Sequence, residues 1–445
     1  MTAQQPDTLY AGRYVLPTNR QQDVIENGAM AVARDTIVAV DTLDALTSRY
    51  PETTVVREEH GLIMPGLVNS HTHAAMSCFR GLADDLPLMT WLEQHIFPIE
   101  ARLTADMVYQ STLLSIAEMI RSGTTSFCDM YLFSKAVARA ARDCGIRAWI
   151  GEVLYDFPSP CYGELEGGIA YLNELIDEYT TNPLVNITVD PHSVYTCSPD
   201  LLTRLGSLAA EKKSLFVIHL SENQAELETC RQRYNCTPVE HLHNLDLLSG
   251  NTLASHCVTL SKSDMGLLRK HGVNVSHCIE SNMKLASGIA PVVAMLEQGI
   301  NISLGTDGSA SNNDVDMFSE MNSVAKIHKV QCMDPTVMSA EQTLKTATQG
   351  GAHALGAAGR IGALMPGMQA DFIVLDLDQP HMVPLFNIPS HLTYVARGSD
   401  VLHSFVAGRQ LMKNRQLLTI DEGRLLATMR SMSKAILELR NERSL

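Results

Sequence analysis

The sequence predicts an α/β fold: a closed (β/α)₈ barrel of the TIM type, together with a small β-sandwich domain that both chain termini build. Two observations predict this fold. From about residue 62, eight short β-rich runs alternate with helix-length segments, and eight such βα units favour a closed barrel over an open sheet. The two ends of the 445-residue chain instead hold short alternating runs separated by turn signals, which indicate a separate β-domain.

The eight β-rich runs define the predicted strands of the barrel. They cover residues 62–73, 124–130, 147–154, 185–193, 214–222, 252–258, 273–282 and 300–308. Helical patterns such as LLSIAEMIRSG and LLTRLGSLAAEKK lie between them. The long stretch 74–123 is predicted to form an extended loop and helices after the first strand.

The predicted domain boundaries follow from the same change of pattern. Residues 1–64 and 366–420 are assigned to the β-sandwich domain, which contains the runs AMAVARDTIVAV, TTVVREEH and DFIVLDL. Residues 65–365 are assigned to the barrel. Residues 421–445 are assigned to a C-terminal helix, whose helical run is RLLATMRSMSKAILELRNE.

Composition and charge exclude several classes of protein. Hydrophobic residues make up 45% of the chain and charged residues 19%, which excludes disordered and fibrous classes. The formal net charge of −15 without a basic block argues against binding to nucleic acid or to an anionic membrane. The N-terminus lacks the pattern of a secretory signal, and no apolar run reaches the roughly 18 residues of a membrane span. Ten scattered cysteines without a C-x-x-C pair predict reduced thiols and a cytoplasmic location.

Two His-x-His triplets receive opposite interpretations. The triplet 71–73 ends the first predicted strand, where residues two apart share one face and both imidazoles can reach one ion. The triplet 241–243 lies at a predicted helix start, where this spacing splays the side chains apart, so the pair is interpreted as solvated surface. The first triplet is therefore the candidate, since functional groups gather at the C-terminal rim of barrel strands.

Further candidate residues end predicted strands at the same rim. His219 closes the run LFVIH and is followed by Glu222 in H-L-S-E, His256 closes TLASH, and Asp307 follows NISLGT. With the first triplet, they place candidate ligands and acid–base groups at the ends of strands one, five, six and eight. Three histidines and one aspartate suit a borderline divalent ion such as Zn²⁺.

Longer strings around these residues carry a resemblance to a known family. They are PGLVNSHTHAAMSCFRGLADDLPLMTWLE, DPHSVYTCS, HLSEN, SHCIESNMKLASGIAPV and GTDGSASNN. The chain resembles the amidohydrolase superfamily over nearly its whole length, because the split β-domain and the closing GALMPGMQADFIVLD also match. It is most similar to the branch of 5′-methylthioadenosine/S-adenosylhomocysteine deaminases and related chlorohydrolase-like proteins.

The resemblance implies one divalent metal per subunit, held by His71, His73, His219 and Asp307. Zinc is the first expectation, with iron or manganese as alternatives. Binuclear relatives bridge two metals through a modified lysine of strand four. The corresponding run VNITVDPHS contains no lysine, so a single ion fits.

The resemblance also implies a hydrolytic deamination. The metal lowers the pKa of its bound water to about 7 and so supplies hydroxide at neutral pH. Glu222 protonates the ring nitrogen beside the attacked carbon, His256 orients the hydroxide, and Asp307 accepts its proton. Glu222 and Asp307 thereby also contact the substrate, a 6-aminopurine nucleoside that is converted to the inosine analogue and ammonia.

Two more residues are assigned to substrate binding by the same resemblance. His192, in DPHS, contacts the purine, and Glu100, in FPIE, hydrogen-bonds the ribose hydroxyls. Gap-free counting places Glu152 and Glu164 where relatives that accept S-adenosylhomocysteine hold its carboxylate with arginines. Ionised glutamates repel a carboxylate.

This departure favours 5′-methylthioadenosine or adenosine as the substrate. S-adenosylhomocysteine stays in the range of expected substrates, with Arg147 and Arg80 as candidates to compensate for the missing arginines. Trp91 is interpreted as a loop anchor, while Asn282 and Lys284 are placed at the pocket rim without a role.

Alternative functions stay open on the sequence alone. The same site suits deamination of another aminated heterocycle, of the 8-oxoguanine or triazine type, because loop residues decide the substrate. A non-catalytic scaffold is disfavoured by the full set of ligands and acid–base residues, and a cyclic-amide hydrolase by the missing bridging lysine. The expected partner is a small-molecule substrate, and the expected assembly is a homo-oligomer.

Overall fold

A computed structural model describes residues 5–18, 24–86 and 88–441 of the chain. The domain boundaries drawn from the sequence stay a prediction, and their residues 1–4, 19–23, 87 and 442–445 lie outside the described part. The chain divides into two compact units, the first formed by Met1–Asn69, Ala117–Ser126 and Asp316–Thr419, and the second by Ser70–Ile116, Phe127–Val315 and Ile420–Leu445.

The strands of the described residues are short, and most are largely buried. They are β1 (Thr8–Val15), β2 (Ile25–Glu26), β3 (Gly28–Ala33), β4 (Thr36–Thr42), β5 (Thr54–Pro65), β6 (Leu67–Thr72), β7 (Thr124–Tyr131), β8 (Arg147–Leu154), β9 (Val185–Ile187), β10 (Asp190–Pro191), β11 (Phe216–Leu220), β12 (Thr252–His256), β13 (Asn274–His277), β14 (Asn301–Leu304), β15 (Phe372–Asp376), β16 (Val401–Val406), β17 (Arg409–Lys413) and β18 (Gln416–Leu417).

Helices separate most of the strands from β7 onward. They are α1 (Leu43–Arg49), α2 (Leu88–Trp91), α3 (Phe97–Glu100), α4 (Ala105–Arg121), α5 (Ser134–Cys144), α6 (Leu165–Tyr179), α7 (Pro199–Lys212), α8 (Gln224–Tyr234), α9 (Pro238–Asn244), α10 (Lys262–His271), α11 (Ile279–Lys284), α12 (Val292–Glu297), α13 (Met317–Cys332), α14 (Ala340–Lys345), α15 (Gly351–Ala354), α16 (Ile388–Tyr394) and α17 (Glu422–Asn441). No helix among the described residues is long and apolar enough to span a bilayer.

The first unit holds one mixed sheet to which both ends of the chain contribute. Its strand order is β18-β17-β16-β15-β5-β1-β3-β4, and β2 pairs with β1. Because side chains alternate across a strand, Leu9 and Ala11 of β1 enter one apolar cluster while the intervening Tyr10 packs against another, around Phe372 and Phe405. Apolar clusters therefore cover both faces of the sheet.

The barrel strands form two parallel sheets that meet at both edges. Their orders are β10-β8-β7-β6, with β9 beside β8, and β11-β12-β13-β14. Isolated parallel bridges join Ser193 to His219 and Val189 to Phe216. At the other edge the Asp307 backbone N–H donates to the His71 carbonyl at 3.0 Å. The predicted parallel barrel is confirmed, with β9 and β10 together forming its fourth strand.

The first predicted barrel run differs from the observed strands. The run 62–73 is split at Gly66, so its first part ends β5 in the mixed sheet and only its second part forms β6. A Cβ atom on Gly66 would collide with the Thr125 side chain. A glycine after Pro65 therefore permits close packing where one strand ends and the next begins, and hydrophobicity alone did not reveal this break.

Candidate metal centre and its cavity

A compact cluster of potential metal ligands lies at the C-terminal ends of the barrel strands. His71 is in β6 and His73 follows it, His219 is in β11, and Asp307 follows β14. One nitrogen or oxygen atom from each of these four residues lies within 4.8 Å of the other three. Residues from distant parts of the chain thus converge because parallel strands end at the same rim of the barrel.

The spacing of these atoms fits coordination of one cation. The Asp307 Oδ1 atom lies 3.4 Å from His71 Nε2 and 3.1 Å from His73 Nε2, and His73 Nε2 lies 3.2 Å from His219 Nε2. Donor atoms about 2.0–2.1 Å from a zinc ion at tetrahedral angles lie about 3.3 Å from one another. The measured separations therefore match those of ligands around a shared ion.

Hydrogen bonds to the far side of the ligands fix which atoms face the cluster. His73 Nδ1 donates to the Met130 carbonyl at 2.5 Å, and His219 Nδ1 donates to the His192 carbonyl at 2.8 Å. A carbonyl only accepts, so each ring holds a proton on Nδ1, and its Nε2 atom offers a lone pair once that atom is deprotonated. The Asp307 Oδ2 atom accepts from two serine hydroxyls at 2.7 and 2.6 Å, which leaves Oδ1 for the cluster.

The electrostatics of the cluster also suit a cation. Burial lowers the pKa of His71 to about 4, and neither of its ring nitrogens has a hydrogen-bond partner among the described residues. Burial acts to raise the pKa of Asp307, but the neighbouring His71 and His73 rings outweigh it and hold the pKa well below its usual range. A neutral buried imidazole beside an ionised buried carboxylate is a fitting donor set for a divalent metal.

Two predicted acid–base residues lie next to the cluster. Glu222 follows β11 and is 7% exposed, and burial raises its pKa. His256 ends β12 and is 1% exposed, and its Nδ1 atom lies 2.9 Å from Asn282 Oδ1. The backbones of His256 and Asp307 are left-handed, with φ of 71° and 61°. Such strained conformations concentrate at functional sites.

A cavity of about 300 Å³ opens in front of these residues, within the size range of small-molecule sites. Seven of the predicted site residues line it, and they are His73, Glu100, His192, His219, Glu222, His256 and Asp307. His71 lies behind them as the fully buried member of the ligand cluster. The structure thus brings every predicted site residue to one place, while their roles stay predictions.

The two residues assigned to substrate binding have well-defined surroundings. Glu100 ends α3, and its Oε1 atom accepts a hydrogen bond of 2.6 Å from the Tyr131 hydroxyl. His192 follows β10, and its Nδ1 atom lies 2.9 Å from Thr196 Oγ1. Burial lowers the pKa of His192 to about 3, so its ring is neutral and available as a hydrogen-bond partner at neutral pH.

The prediction from gap-free counting is corrected by the structure. Glu152 is fully buried in β8, where its carboxylate accepts from the backbone N–H of Phe133 at 3.2 Å and of Ser134 at 2.7 Å. Glu164 is exposed at the start of α6. Neither residue lines the cavity, because one stabilises the first turn of α5 and the other faces solvent.

The proposed compensating arginines are also absent from the lining. Arg147 is buried at the start of β8 and donates to the Pro183 carbonyl at 3.2 Å, and Arg80 is exposed. Trp91 both lines the cavity and donates its indole N–H to the Ala83 carbonyl at 3.0 Å, as expected of a loop anchor. Lys284 contacts Asp84 at 2.6 Å.

Sequence reasoning missed two functional candidates, one in this cavity and one behind it. Tyr131, the last residue of β7, was not singled out, although a strand end was the signal that found the ligands. Asn282 was named without a role, and its partner His256 could not be identified because the two residues are 26 positions apart. Side-chain direction, which sequence patterns do not report, decides both contacts.

A parallel β/α barrel with a His-x-His pair, a third histidine and an aspartate at its strand ends defines a metal-dependent hydrolase. The chain belongs to the amidohydrolase family, whose model it matches over residues 62–411. This match confirms the family that the sequence motifs indicated.

Individual relatives cover almost the whole chain. It is 50% identical over 436 residues to 5-methylthioadenosine/S-adenosylhomocysteine deaminase of Syntrophobacter fumaroxidans, covering 98% of this chain and 100% of that protein. It is 42% identical over 422 residues to 5′-deoxyadenosine deaminase of Methanosarcina barkeri, covering 94% and 96%. The crystal structure of an adenosine deaminase from Xanthomonas campestris with bound zinc is similar with a TM-score of 0.96 at 37% identity, covering 98% and 99%.

Proposed function

We propose that this chain catalyses the hydrolytic deamination of a 6-aminopurine nucleoside, releasing the inosine analogue and ammonia. The observation that carries the proposal is that the Glu222 carboxyl lines one small cavity together with three members of the three-histidine, one-aspartate cluster. The names of the similar deaminases support the reaction and the class of substrate.

The cluster of His71, His73, His219 and Asp307 is proposed to hold one divalent cation per subunit. Zinc is the first candidate because the similar Xanthomonas campestris deaminase contains it, and iron and manganese are the alternatives. When bound, such a cation acts as a Lewis acid that makes water a nucleophile at neutral pH.

The protein's own residues then move protons around the purine. Glu222, whose pKa is raised by burial, donates a proton to ring N1, which makes C6 more electrophilic. Water adds to C6 as the Asp307 carboxylate takes up one of its protons. Asp307 then passes this proton to the amino group, and the C6–N bond breaks as ammonia leaves. The remaining hydroxyl proton returns to Glu222, which leaves the 6-oxo product. His256, oriented by Asn282, hydrogen-bonds the attacking oxygen.

The apolar part of the cavity lining supports an uncharged 5′ group on the nucleoside. The segment 91–101 lines the cavity with Trp91, Leu92, Ile96 and Phe97 beside Glu100. No lysine or arginine of the described residues lines the cavity. An amino-acid carboxylate would therefore lose water there without gaining a cationic partner. We propose 5′-methylthioadenosine and adenosine as the preferred substrates and S-adenosylhomocysteine as a poorer one.

A substrate panel tests this function directly. Metal-replete protein is incubated with 5′-methylthioadenosine, adenosine, S-adenosylhomocysteine, 8-oxoguanine and an aminotriazine, and the ultraviolet shift on deamination is recorded. The proposal predicts the highest kcat/KM for the two nucleosides with uncharged 5′ groups. Turnover of the ribose-free bases in preference to every nucleoside would contradict it and support the deaminase of another heterocycle.

The cellular setting is part of the same proposal. All ten cysteines carry reduced thiols in the structure, which supports a cytoplasmic location. A homo-oligomer with a small-molecule substrate as its partner is proposed on the frequency of symmetric assemblies among soluble enzymes. Light scattering of purified protein measures the number of subunits.

A further inference from the structure

We propose that Tyr131 is a positioning residue that holds the Glu100 carboxylate for recognition of the ribose hydroxyls, and so makes the enzyme selective for ribonucleosides. This inference rests on the proposed function, in which Glu100 binds the ribose. No feature of the sequence motifs assigns a role to Tyr131. The contacts of its phenol group carry the inference.

The first step is the geometry of the pair. The Tyr131 hydroxyl donates to Glu100 Oε1 at 2.6 Å, a short and strong hydrogen bond to a carboxylate. Both residues line the cavity. Tyr131 is the last residue of β7, whose eight residues are all buried, whereas Glu100 ends the four-residue helix α3. The buried strand therefore holds a carboxylate that its own short helix would leave mobile.

The second step concerns which partner each oxygen of the Glu100 carboxylate has. Tyr131 occupies Oε1, and no second hydrogen bond to the Glu100 carboxylate is recorded among the described residues. Oε2 is therefore left to accept from a ligand in the cavity. A vicinal diol is the part of a nucleoside that offers hydroxyl donors to such an oxygen.

The third step concerns the state of the phenol. A tyrosine hydroxyl ordinarily has a pKa of about 10, so at neutral pH the phenol keeps its proton and stays a donor. The Tyr131 ring also lies next to His73, with 6.1 Å between ring centroids. One rigid side chain thus sets the distance between the sugar-binding carboxylate and the ligand cluster.

The experiment compares two substrates that differ only in the sugar hydroxyls. Tyr131→Phe keeps the ring and removes the donor, and it is assayed with adenosine and with 2′,3′-dideoxyadenosine. The expected KM for adenosine rises about tenfold, the effect of one hydrogen bond to a charged group. The expected kcat for adenosine stays within about twofold of wild type. Both constants for 2′,3′-dideoxyadenosine also stay within about twofold, because this substrate has no 2′ or 3′ hydroxyl for Glu100 to bind.

A matched control has the same chemistry outside the cavity. Tyr109 donates to Asp143 Oδ2 at 3.0 Å on the protein surface, and Tyr109→Phe is expected to leave all four constants unchanged. In a Glu100→Ala background, Tyr131→Phe is expected to add no further loss with adenosine, since a residue that acts through another is not additive with it.

The outcomes separate this inference from the proposed function. Equal losses with both substrates, or an unchanged KM for adenosine, would overturn the role of Tyr131 while deamination itself stands. A wild-type enzyme that deaminates neither adenosine nor 5′-methylthioadenosine would overturn the proposed function, and the inference that rests on it would fall as well.

Discussion

The Nδ1 atom of His256 lies 2.9 Å from the Oδ1 atom of Asn282, and this contact joins the end of β12 to α11. Because an amide oxygen only accepts, the ring donates from Nδ1 and turns its Nε2 edge towards the cavity. Asn282 is fully buried. The orientation of His256 therefore depends on a residue that does not line the cavity.

Removing this contact should slow the chemistry with little effect on binding. We expect Asn282→Ala to lower kcat by about 10–100-fold, the usual cost of losing an orienting partner, with KM changed by less. Asn282→Asp, which keeps an oxygen acceptor, should retain more activity than the alanine variant. Steady-state kinetics measure both variants, and wild-type kcat in Asn282→Ala would refute the orienting role.

The acid–base role of Glu222 separates catalysis from metal binding. Glu222→Gln should lower kcat by about 10²–10⁴-fold, the contribution of a positioned acid–base group, while metal content stays at one ion per chain. Glu166→Gln is the control, because this exposed carboxylate pairs with Arg204 at 2.7 Å on the surface. Loss of the metal together with activity in Glu222→Gln would show that Glu222 acts as a ligand instead.

The two His-x-His triplets give a direct test of the ligand assignment. His71→Ala should remove both bound metal and activity, whereas His243→Ala, in the second triplet, should change neither. Elemental analysis of the purified variants measures the metal content. Metal loss in His243→Ala with retention in His71→Ala would invert the assignment.

Metal removal should also lower the stability of the folded protein. The ligand atoms converge only in the folded chain, so a cation binds the native state in preference to the unfolded state. Adding zinc to metal-stripped protein at about 100 times its dissociation constant should stabilise the fold by about 2.7 kcal/mol. Thermal unfolding measures this shift, and an unchanged midpoint with zinc, iron and manganese would contradict a metal centre.

The dependence of stability on pH should include a contribution from His328. This fully buried residue of α13 has its pKa lowered by burial, with a smaller opposing effect of its hydrogen bond to Gln331. Below about pH 6.5 the unfolded chain takes up a proton that the folded chain resists, so folding stability falls on acidification, by up to about 1.4 kcal/mol per pH unit. The contribution of the neutral His328 ring to folding stability is complete above about pH 6.5 and is lost progressively below it.

The measurement compares unfolding free energies at pH 7.5 and pH 5. His328→Gln should lose less stability than wild type over this interval because it cannot take up the proton. His60→Gln, at an exposed position, should keep the wild-type slope. An equal dependence of the unfolding free energy on pH in wild type and His328→Gln would show that His328 makes no such contribution.

The barrel could be predicted because its strands are buried on both faces and separated by helices, which leaves a clear pattern of apolar runs. The strands β8 and β11 fall within their predicted runs. The break at Gly66 was missed because Pro65 and its neighbours read as one apolar run. Glu152 was misjudged because gap-free counting cannot distinguish a cavity residue from one that stabilises a helix start.

The sequence by itself indicated the family through the resemblance of its motif strings, and it indicated the candidate ligands through the residue types at the ends of the predicted strands. The tertiary structure alone decided which atoms meet: Tyr131 with Glu100, and Asn282 with His256. Hydrogen bonds depend on differences of a few tenths of an ångström and on side-chain direction. These are set by the packing of loops and helices around the barrel, which no local pattern encodes.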